Sequence, residues 1–114
     1  WEKWYRDWLE APTDRRYYRY LRDGESGRFV GEIAYYYDAE RKIYICDLIV
    51  PAQYRGCGYG TAGLRLLCEA AKENGISVLY DDIAADNPSY RLFLREGFVI
   101  DDRNDAVIMV KKIL

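Results

Sequence analysis

The spacing of hydrophobic positions changes along the chain and divides it into predicted helices and strands. Apolar side chains open the chain at Trp1, Trp4, Tyr5, Trp8 and Leu9. This spacing is typical of one face of an amphipathic helix. Because the helix is already in progress at the first residue, we expect native sequence upstream to be missing.

Three strands are predicted next, and two short turns join them. Residues 15–22 and 28–37 are rich in tyrosine, whereas residues 42–50 (KIYICDLIV) are almost continuously apolar. The latter pattern is typical of a central strand. Turn-forming residues occupy positions 23–27 and 38–41, and such short connections predict an antiparallel meander.

The chain then alternates helices with strands. After a loop at residues 51–59, apolar residues recur with helical spacing over residues 60–74, and Asn74-Gly75 is a typical helix end. Residues 77–84 (SVLYDDIA) follow as a strand. A strand, a helix and a second strand in this order predict a parallel pair of strands.

A second helix and a hairpin complete the pattern. Asn87-Pro88 is a favourable helix start, since Asn is a good N-cap and Pro a good first helical residue. Residues 97–101 and 106–113 form the predicted hairpin. The order of elements predicts an α+β fold with a mixed sheet.

Length and charge narrow the possible functions. The chain has 114 residues, 50% of them hydrophobic, which is enough for one domain over residues 1–114. Its formal net charge is -2, so no nucleic-acid-binding surface is expected. No apolar run reaches the roughly 18 residues of a membrane span, and no membrane partner is expected.

Cysteine and histidine usage excludes further classes. The three cysteines form no C-x-x-C pair, which favours a reducing, cytoplasmic location over a disulfide or zinc framework. The chain has no histidine, which excludes Ser-His-Asp catalysis and the common histidine metal sites. We therefore expect no metal, and acid or base catalysis must use other side chains.

A glycine-rich segment, RGCGYGTAG, raises the question of a phosphate ligand. From Gly58 onward it spells G-x-G-x-x-G, the dinucleotide fingerprint, but a hairpin-linked strand and a Pro-Ala-Gln-Tyr-Arg segment precede it, unlike in a Rossmann fold. Gly56, Gly58 and Gly60 lead into a helix N-terminus, which suits an anion such as pyrophosphate. The alternative is a loop that only turns the chain.

Two motifs resemble the GNAT N-acetyltransferases. VPAQYRGCGYG at residues 50–60 is similar to the family's motif A, whose core Q/R-x-x-G-x-G/A is filled by Arg55, Gly58 and Gly60. DNPS at residues 86–89, followed by a Phe and a Gly-Phe pair, is similar to motif B. The resemblance covers roughly residues 15–114 and implies a GNAT-like fold that lacks the family's first strand and helix.

The resemblance implies that acetyl-CoA is the acetyl donor. Pantetheine would enter a V-shaped split between the third strand and the next one, where it pairs with the backbone of Leu48, Ile49 and Val50. Asn87 and Phe93 on the second helix complete the implied coenzyme-binding set. The N–H groups of the glycine-rich segment would hold the pyrophosphate, namely those of Arg55, Gly56, Cys57, Gly58, Tyr59, Gly60 and Thr61.

The implied catalytic groups are an acid and a base. Many family members carry a tyrosine acid at the position of Phe93, which has no proton to give. Tyr90, one turn earlier, is the candidate replacement, and a core aromatic is the alternative for it. Asp82 is the first candidate base, and strand alternation predicts that its neighbour Asp81 points to the opposite sheet face. Asp47 and Glu32 are further candidate bases. The alternative for each acid is a structural pair with a lysine or arginine.

The sequence therefore predicts an N-acetyltransferase. Acetyl would pass from acetyl-CoA to a primary amine by direct attack in a ternary complex, and the amine would be a small molecule or a peptide. The sequence also leaves a homodimer open. The alternatives are an acyl-CoA-binding regulatory module without turnover and an NAD-binding domain.

Overall fold

One mixed sheet dominates the structure. The computed structural model describes residues 16–114, and within them six strands form a single sheet. Two α-helices accompany the described strands: α1 (Tyr59–Glu73) follows the third strand and α2 (Tyr90–Arg95) follows the fourth. The strands are β1 (Arg16–Arg22), β2 (Phe29–Asp38), β3 (Ile43–Ile49), β4 (Val78–Ala84), β5 (Val99–Arg103) and β6 (Val107–Ile113).

The predicted α+β class and mixed sheet are confirmed. The strand order is β1-β2-β3-β4-β6-β5, in which β1, β2 and β3 form the expected antiparallel meander. The pair β3–β4 is parallel, and β6 pairs antiparallel with β4 and β5. This sheet is not the doubly wound parallel sheet of a dinucleotide-binding fold. The predicted helix at residues 1–9 lies outside the described residues.

Helix α1 packs on one face of the sheet through its predicted apolar stripe. Leu64, Leu67 and Ala71 are completely buried. Gly63 brings the helix close to the sheet, since a Cβ there would lie 2.7 Å from Cδ1 of Leu21. Gly75 has a φ of +83° and ends the helix in the left-handed conformation that the sequence predicted. No described helix is long and apolar enough to cross a membrane.

Helix α2 begins two residues later than the sequence predicted. Its α-helical residues start at Tyr90, because the preceding turn is tight, with the N–H of Arg91 donating to the carbonyl of Pro88 at 3.1 Å. Asn87 nevertheless caps this turn, since its Oδ1 accepts a hydrogen bond from the N–H of Ser89 at 2.9 Å.

The predicted loop at residues 51–59 also contains a short 3₁₀ turn, Ala52–Tyr54.

Candidate functional site

The sheet opens between its two parallel strands. β3 and β4 pair only at Tyr44–Leu79 and Ile45–Tyr80, although each strand continues beyond that point. A cleft of about 520 Å³ lies beside the end of β3. The end of β3, the loop after it, the start of α1 and the region around α2 supply its lining: Leu48, Ile49, Val50, Tyr54, Arg55, Gly56, Gly60, Asn87, Pro88, Ser89, Arg91, Leu92 and Arg95.

The glycines of the loop are required by its conformation. Gly56 and Gly58 have φ values of +80° and +86°, which side chains disfavour. Gly58 is also the N-cap of α1, and the helix's own hydrogen bonds begin with the N–H of Ala62, which donates to Gly58. The N–H groups before Ala62 therefore lie at an open helix N-terminus, where an anion is favoured.

Three arginines make the cleft cationic although the chain carries net negative charge. Arg55, Arg91 and Arg95 all line the cleft, and the last two are one turn apart on α2. Arg55 is held by a hydrogen bond from its Nε to the carbonyl of Val50 at 3.2 Å. Sequence reasoning missed the two arginines of α2, and their spacing of four residues was the available signal.

The predicted coenzyme-binding residues fall into two groups. The cleft lining includes Asn87 and six predicted residues between the end of β3 and the start of α1: Leu48, Ile49, Val50, Arg55, Gly56 and Gly60. Four other predicted residues do not line the cleft: Cys57, Gly58, Tyr59 and Thr61. Phe93 is 3% exposed, and its ring packs edge-on against Phe98. That side chain belongs to the core.

The candidate acid Tyr90 is half-buried against the core and outside the cleft lining. The guanidinium of Arg91 lies 5.8 Å from the centre of its ring. Glu32, a further candidate base, is half-buried on β2 opposite Ile49. Neither position brings the side chain into the cleft lining, so the structure gives these two candidates no added support.

Asp82 lies on the sheet face opposite α1 and is part of an ion-pair network. Its Oδ2 lies 2.9 Å from Nη2 of Arg41, and both side chains are more than a third exposed. Arg41 also contacts Asp38 at 3.0 Å, and hydrogen bonds from Arg41 lower the pKa of Asp38. The network is an arginine held between two carboxylates.

Asp47 lies on the same face as Asp82 without an ion pair among the described residues. Desolvation by its surroundings raises the pKa of Asp47, although the residue still contacts solvent. Its charge reaches Tyr36 of the neighbouring strand, whose pKa is raised first by burial and then by Asp47 and Asp38. Asp38, Asp47 and Asp82 therefore form one acidic surface, which we call the outer acidic face.

Asp81 points the opposite way, as strand alternation predicted. Burial raises the pKa of its carboxyl to about 8, and the charge of Asp47 adds to the effect. Residues that flank it on the same face of β4, Leu79 and Ile83, are 0% and 5% exposed. Sequence reasoning named Asp81 only as the residue facing away from the candidate base.

A comparison with models of protein families shows which family the chain belongs to. The model of the acetyltransferase (GNAT) family matches residues 1–98. The chain belongs to the GNAT acetyltransferase family. Acyl transfer is therefore the general chemistry of the chain, and the resemblance drawn from motifs A and B is confirmed. No curated protein matches the chain by sequence.

Solved structures agree on the GNAT fold. The ribosomal-protein-alanine N-acetyltransferase of Brucella melitensis is 23% identical with a TM-score of 0.79, over 99% of this chain and 76% of that one. Salmonella typhimurium yncA, solved with acetyl-CoA, is 21% identical with a TM-score of 0.78, over 98% and 70%. The paiA N-acetyltransferase of Thermoplasma acidophilum, solved with coenzyme A, is 14% identical with a TM-score of 0.79, over 99% and 68%. At these identities the likeness establishes the GNAT fold.

Proposed function

We propose that this GNAT protein transfers an acetyl group from acetyl-CoA to a primary amine by direct attack in a ternary complex. The observation that carries the proposal is the cleft where β3 and β4 separate. It combines an open strand edge, an open helix N-terminus and three arginines. An extended, multiply anionic thioester fits such a cleft, since each part of it meets a group of matching chemistry.

The end of β3 supplies the surface for the extended arm of the donor. Leu48 and Ile49 pair with β2 on one side, while the edge toward β4 carries no strand partner beyond Ile45. Backbone groups on an unpaired edge bind an extended partner readily. The thioester supplies an activated acyl carbon, and a backbone N–H near Ile49 would polarise its carbonyl oxygen.

The phosphate groups would lie at the other end of the cleft. The N–H groups from Gly56 to Thr61 would hold the diphosphate, since the N–H of Arg55 donates to the carbonyl of Ala52 at 3.2 Å. The side chains of Arg55, Arg91 and Arg95 add charge-assisted hydrogen bonds. A Cβ at Gly56 or Gly58 would meet no other atom within 4 Å, so the space above the loop is open to a ligand. Asn87 lines the same cleft and would contact the arm between the two ends.

The amine would approach from the outer acidic face. A primary amine is protonated at neutral pH, and it must lose a proton before it attacks. Asp82 remains the first candidate base and Asp47 the second, because both lie on that face beside the gap. Carboxylates there would also attract the cationic amine before it is deprotonated.

A charge-removal series tests the donor site. Arg91→Gln and Arg95→Gln are each expected to weaken coenzyme A binding about 10-fold, because each removes one charge-assisted contact. Arg28→Gln is the matched control, since Arg28 is exposed on the β1–β2 loop away from the cleft. Affinity is measured by calorimetry. Equal affinities for all three variants would contradict the proposed donor site.

Turnover separates transfer from simple binding. Thiol release from acetyl-CoA is measured with a panel of amines: spermidine, an aminoglycoside, free amino acids and an alanine-terminated peptide. Release with at least one amine is expected. Stabilisation by coenzyme A without release from any amine would instead support an acyl-CoA-binding module without turnover, the alternative that the sequence left open.

A further inference from the structure

Three polar side chains of the cleft follow one another along helix α2. Asn87 precedes the helix and lines the cleft together with Arg91 and Arg95. The two arginines are one helical turn apart, which is about 6 Å along the helix axis. Along the direction of α2, Arg95 is therefore the cleft residue farthest from Asn87.

The start of α1 is level with the middle of α2. A Cβ at Gly60 would lie 3.0 Å from Cδ2 of Leu92, so the backbone of α1 meets α2 at that residue. Leu92 directly follows Arg91, whereas Arg95 lies about 4.5 Å farther along the axis. A diphosphate at the open N–H groups of α1 would therefore be level with Arg91, and Arg95 would lie beyond it on the side away from Asn87.

The guanidinium of Arg95 has no carboxylate partner among the described residues. Its neighbour Glu96 is already occupied, because both carboxylate oxygens of Glu96 accept hydrogen bonds from Arg65 of α1. Arg95 is exposed and lines the cleft. Its N–H donors are therefore available to an anionic group of a ligand.

The positive charge of the cleft exceeds what a diphosphate needs. Each phosphate of a diphosphate bridge carries one negative charge, whereas three arginines and a helix N-terminus together supply about +3.5. Arg55, Arg91 and the helix N-terminus are enough to balance the diphosphate. A phosphate monoester carries about −1.5 to −2 at neutral pH, so one such group would match the remaining arginine.

We propose that Arg95 binds the 3′-phosphate of coenzyme A and thereby selects the nucleotide-containing coenzyme as the acyl donor. The inference rests on the proposed function. In coenzyme A the pantetheine arm, the diphosphate and the ribose 3′-phosphate follow one another, in the same order as Asn87, Arg91 and Arg95 in the cleft. A guanidinium can hold a phosphate through two parallel N–H···O hydrogen bonds.

The assignment distinguishes two classes of acyl donor. Phosphopantetheine, the form in which a carrier protein presents an acyl group, has the arm but neither the diphosphate bridge nor the 3′-phosphate. Such a donor would leave the charge of Arg91 and of Arg95 unmatched. The protein is therefore expected to use acyl-coenzyme A and to discriminate against donors that lack the 3′-phosphate.

Two ligands that differ by one phosphate test the role of Arg95. Coenzyme A and dephospho-coenzyme A, which lacks the 3′-phosphate, are titrated by calorimetry. The unmodified protein should prefer coenzyme A about 10-fold. Arg95→Gln should abolish this preference: it should bind coenzyme A about 10-fold more weakly, with the affinity for dephospho-coenzyme A changed less than about two-fold. Retained binding of dephospho-coenzyme A also shows that the variant is folded.

Arg91→Gln is the comparison that separates the two arginines. It should weaken the binding of both ligands about 10-fold and keep the preference for coenzyme A, because its charge acts on the diphosphate that both ligands contain. The exposed Arg28→Gln should match the unmodified protein with both ligands. Equal losses for both ligands in Arg95→Gln would place Arg95 at the diphosphate and overturn the inference.

Turnover extends the test to the acyl donor. Acetyl-CoA, acetyl-dephospho-CoA and acetyl-phosphopantetheine are compared with the best amine of the panel. In the unmodified protein kcat/KM should be about 10-fold lower for acetyl-dephospho-CoA than for acetyl-CoA and lower still for acetyl-phosphopantetheine. Arg95→Gln should remove only the first difference. Equal binding of coenzyme A and dephospho-coenzyme A by the unmodified protein would overturn the inference alone, whereas failure of both to bind would overturn the proposed function as well.

Discussion

Asp81 and Asp82 are adjacent in sequence but occupy opposite faces of the sheet. Asp82 is exposed and held by Arg41 at 2.9 Å. Asp81 lies between Leu79 and Ile83, which are almost fully buried, and its pKa is raised to about 8. The same side chain is therefore exposed and ion-paired on one face, and desolvated with a raised pKa on the other.

The difference shows how one strand places the same residue type in two different environments. Successive side chains of a strand point to opposite faces, so two adjacent aspartates meet different dielectric surroundings and different charges. In a transferase the amine must lose a proton and the thiolate must gain one. Beside the gap between β3 and β4, one of these aspartates lies on each face of the sheet.

The largest expected effect comes from removing the bases of the outer acidic face. The double variant Asp47→Asn/Asp82→Asn should lose about 100- to 10,000-fold in kcat/KM, the range for loss of general acid–base catalysis. Coenzyme A affinity should remain unchanged, since neither residue lines the cleft. Steady-state kinetics with the best amine of the panel measures the loss.

Asp38→Asn is the control for the double variant. It removes the other carboxylate of the Arg41 network and part of the negative charge, but Asp38 lies at the end of β2. Its kcat/KM should fall less than about five-fold. A loss in Asp38→Asn equal to that of the double variant would show that the face acts only through its overall charge, and neither Asp47 nor Asp82 would then be a specific base.

Strand periodicity was enough to predict that Asp81 and Asp82 face opposite sides, and the structure agrees. It could not predict their partners. Arg41 reaches Asp82 across 41 residues of sequence, through the turn between β2 and β3. The contact depends on the register of three strands, which is a tertiary property.

The two helices also show that contacts set by tertiary structure cannot be predicted from local sequence. The extent of α1 follows from its apolar spacing and its C-terminal Gly75, both readable as local signals. The contribution of Arg91 and Arg95 to the cleft depends on how the six-residue α2 docks. A helix that short has little amphipathic pattern of its own, so the sequence predicted its position better than its exposed face.

A smaller effect is expected when Asp81 is replaced, and it is a change in stability that depends on pH. The pKa of Asp81 is raised from 3.8 to about 8 in the folded protein, so the folded state holds a proton that the unfolded chain releases above about pH 4. Stability from this group is thus lost as pH rises from about 4 to 8. Asp81→Asn lacks the penalty, and its melting temperature should exceed that of the unmodified protein by on the order of 10 °C or more at pH 8.

The comparison across pH is the decisive part of that measurement. The difference in melting temperature between Asp81→Asn and the unmodified protein should shrink toward pH 5, where both side chains are neutral. Asp105→Asn should show no such trend, because its side chain is exposed. A constant difference at every pH would mean that Asp81 is ionised in the folded protein, and the contrast with Asp82 would disappear.

The smallest effect on stability is expected from breaking the exposed ion pair between Arg41 and Asp82. Arg41→Gln removes the cation from Asp82, but Arg41 and Asp82 are 38% and 37% exposed, and such pairs contribute about 0.2–1 kcal/mol. The free energy of unfolding, measured in urea, should fall by no more than that, and the loss should shrink further in about 1 M salt, where exposed charges are screened.

Arg65→Gln is the matched control for Arg41→Gln, because the exposed Arg65 forms an ion pair with the half-buried Glu96 away from the gap. The two variants should lose similar stability, yet only Arg41→Gln should change the kinetics, since it leaves the candidate base without its cation. Identical kinetics in both variants would mean that Asp82 holds only the turn between β2 and β3, and the role of base would pass to Asp47.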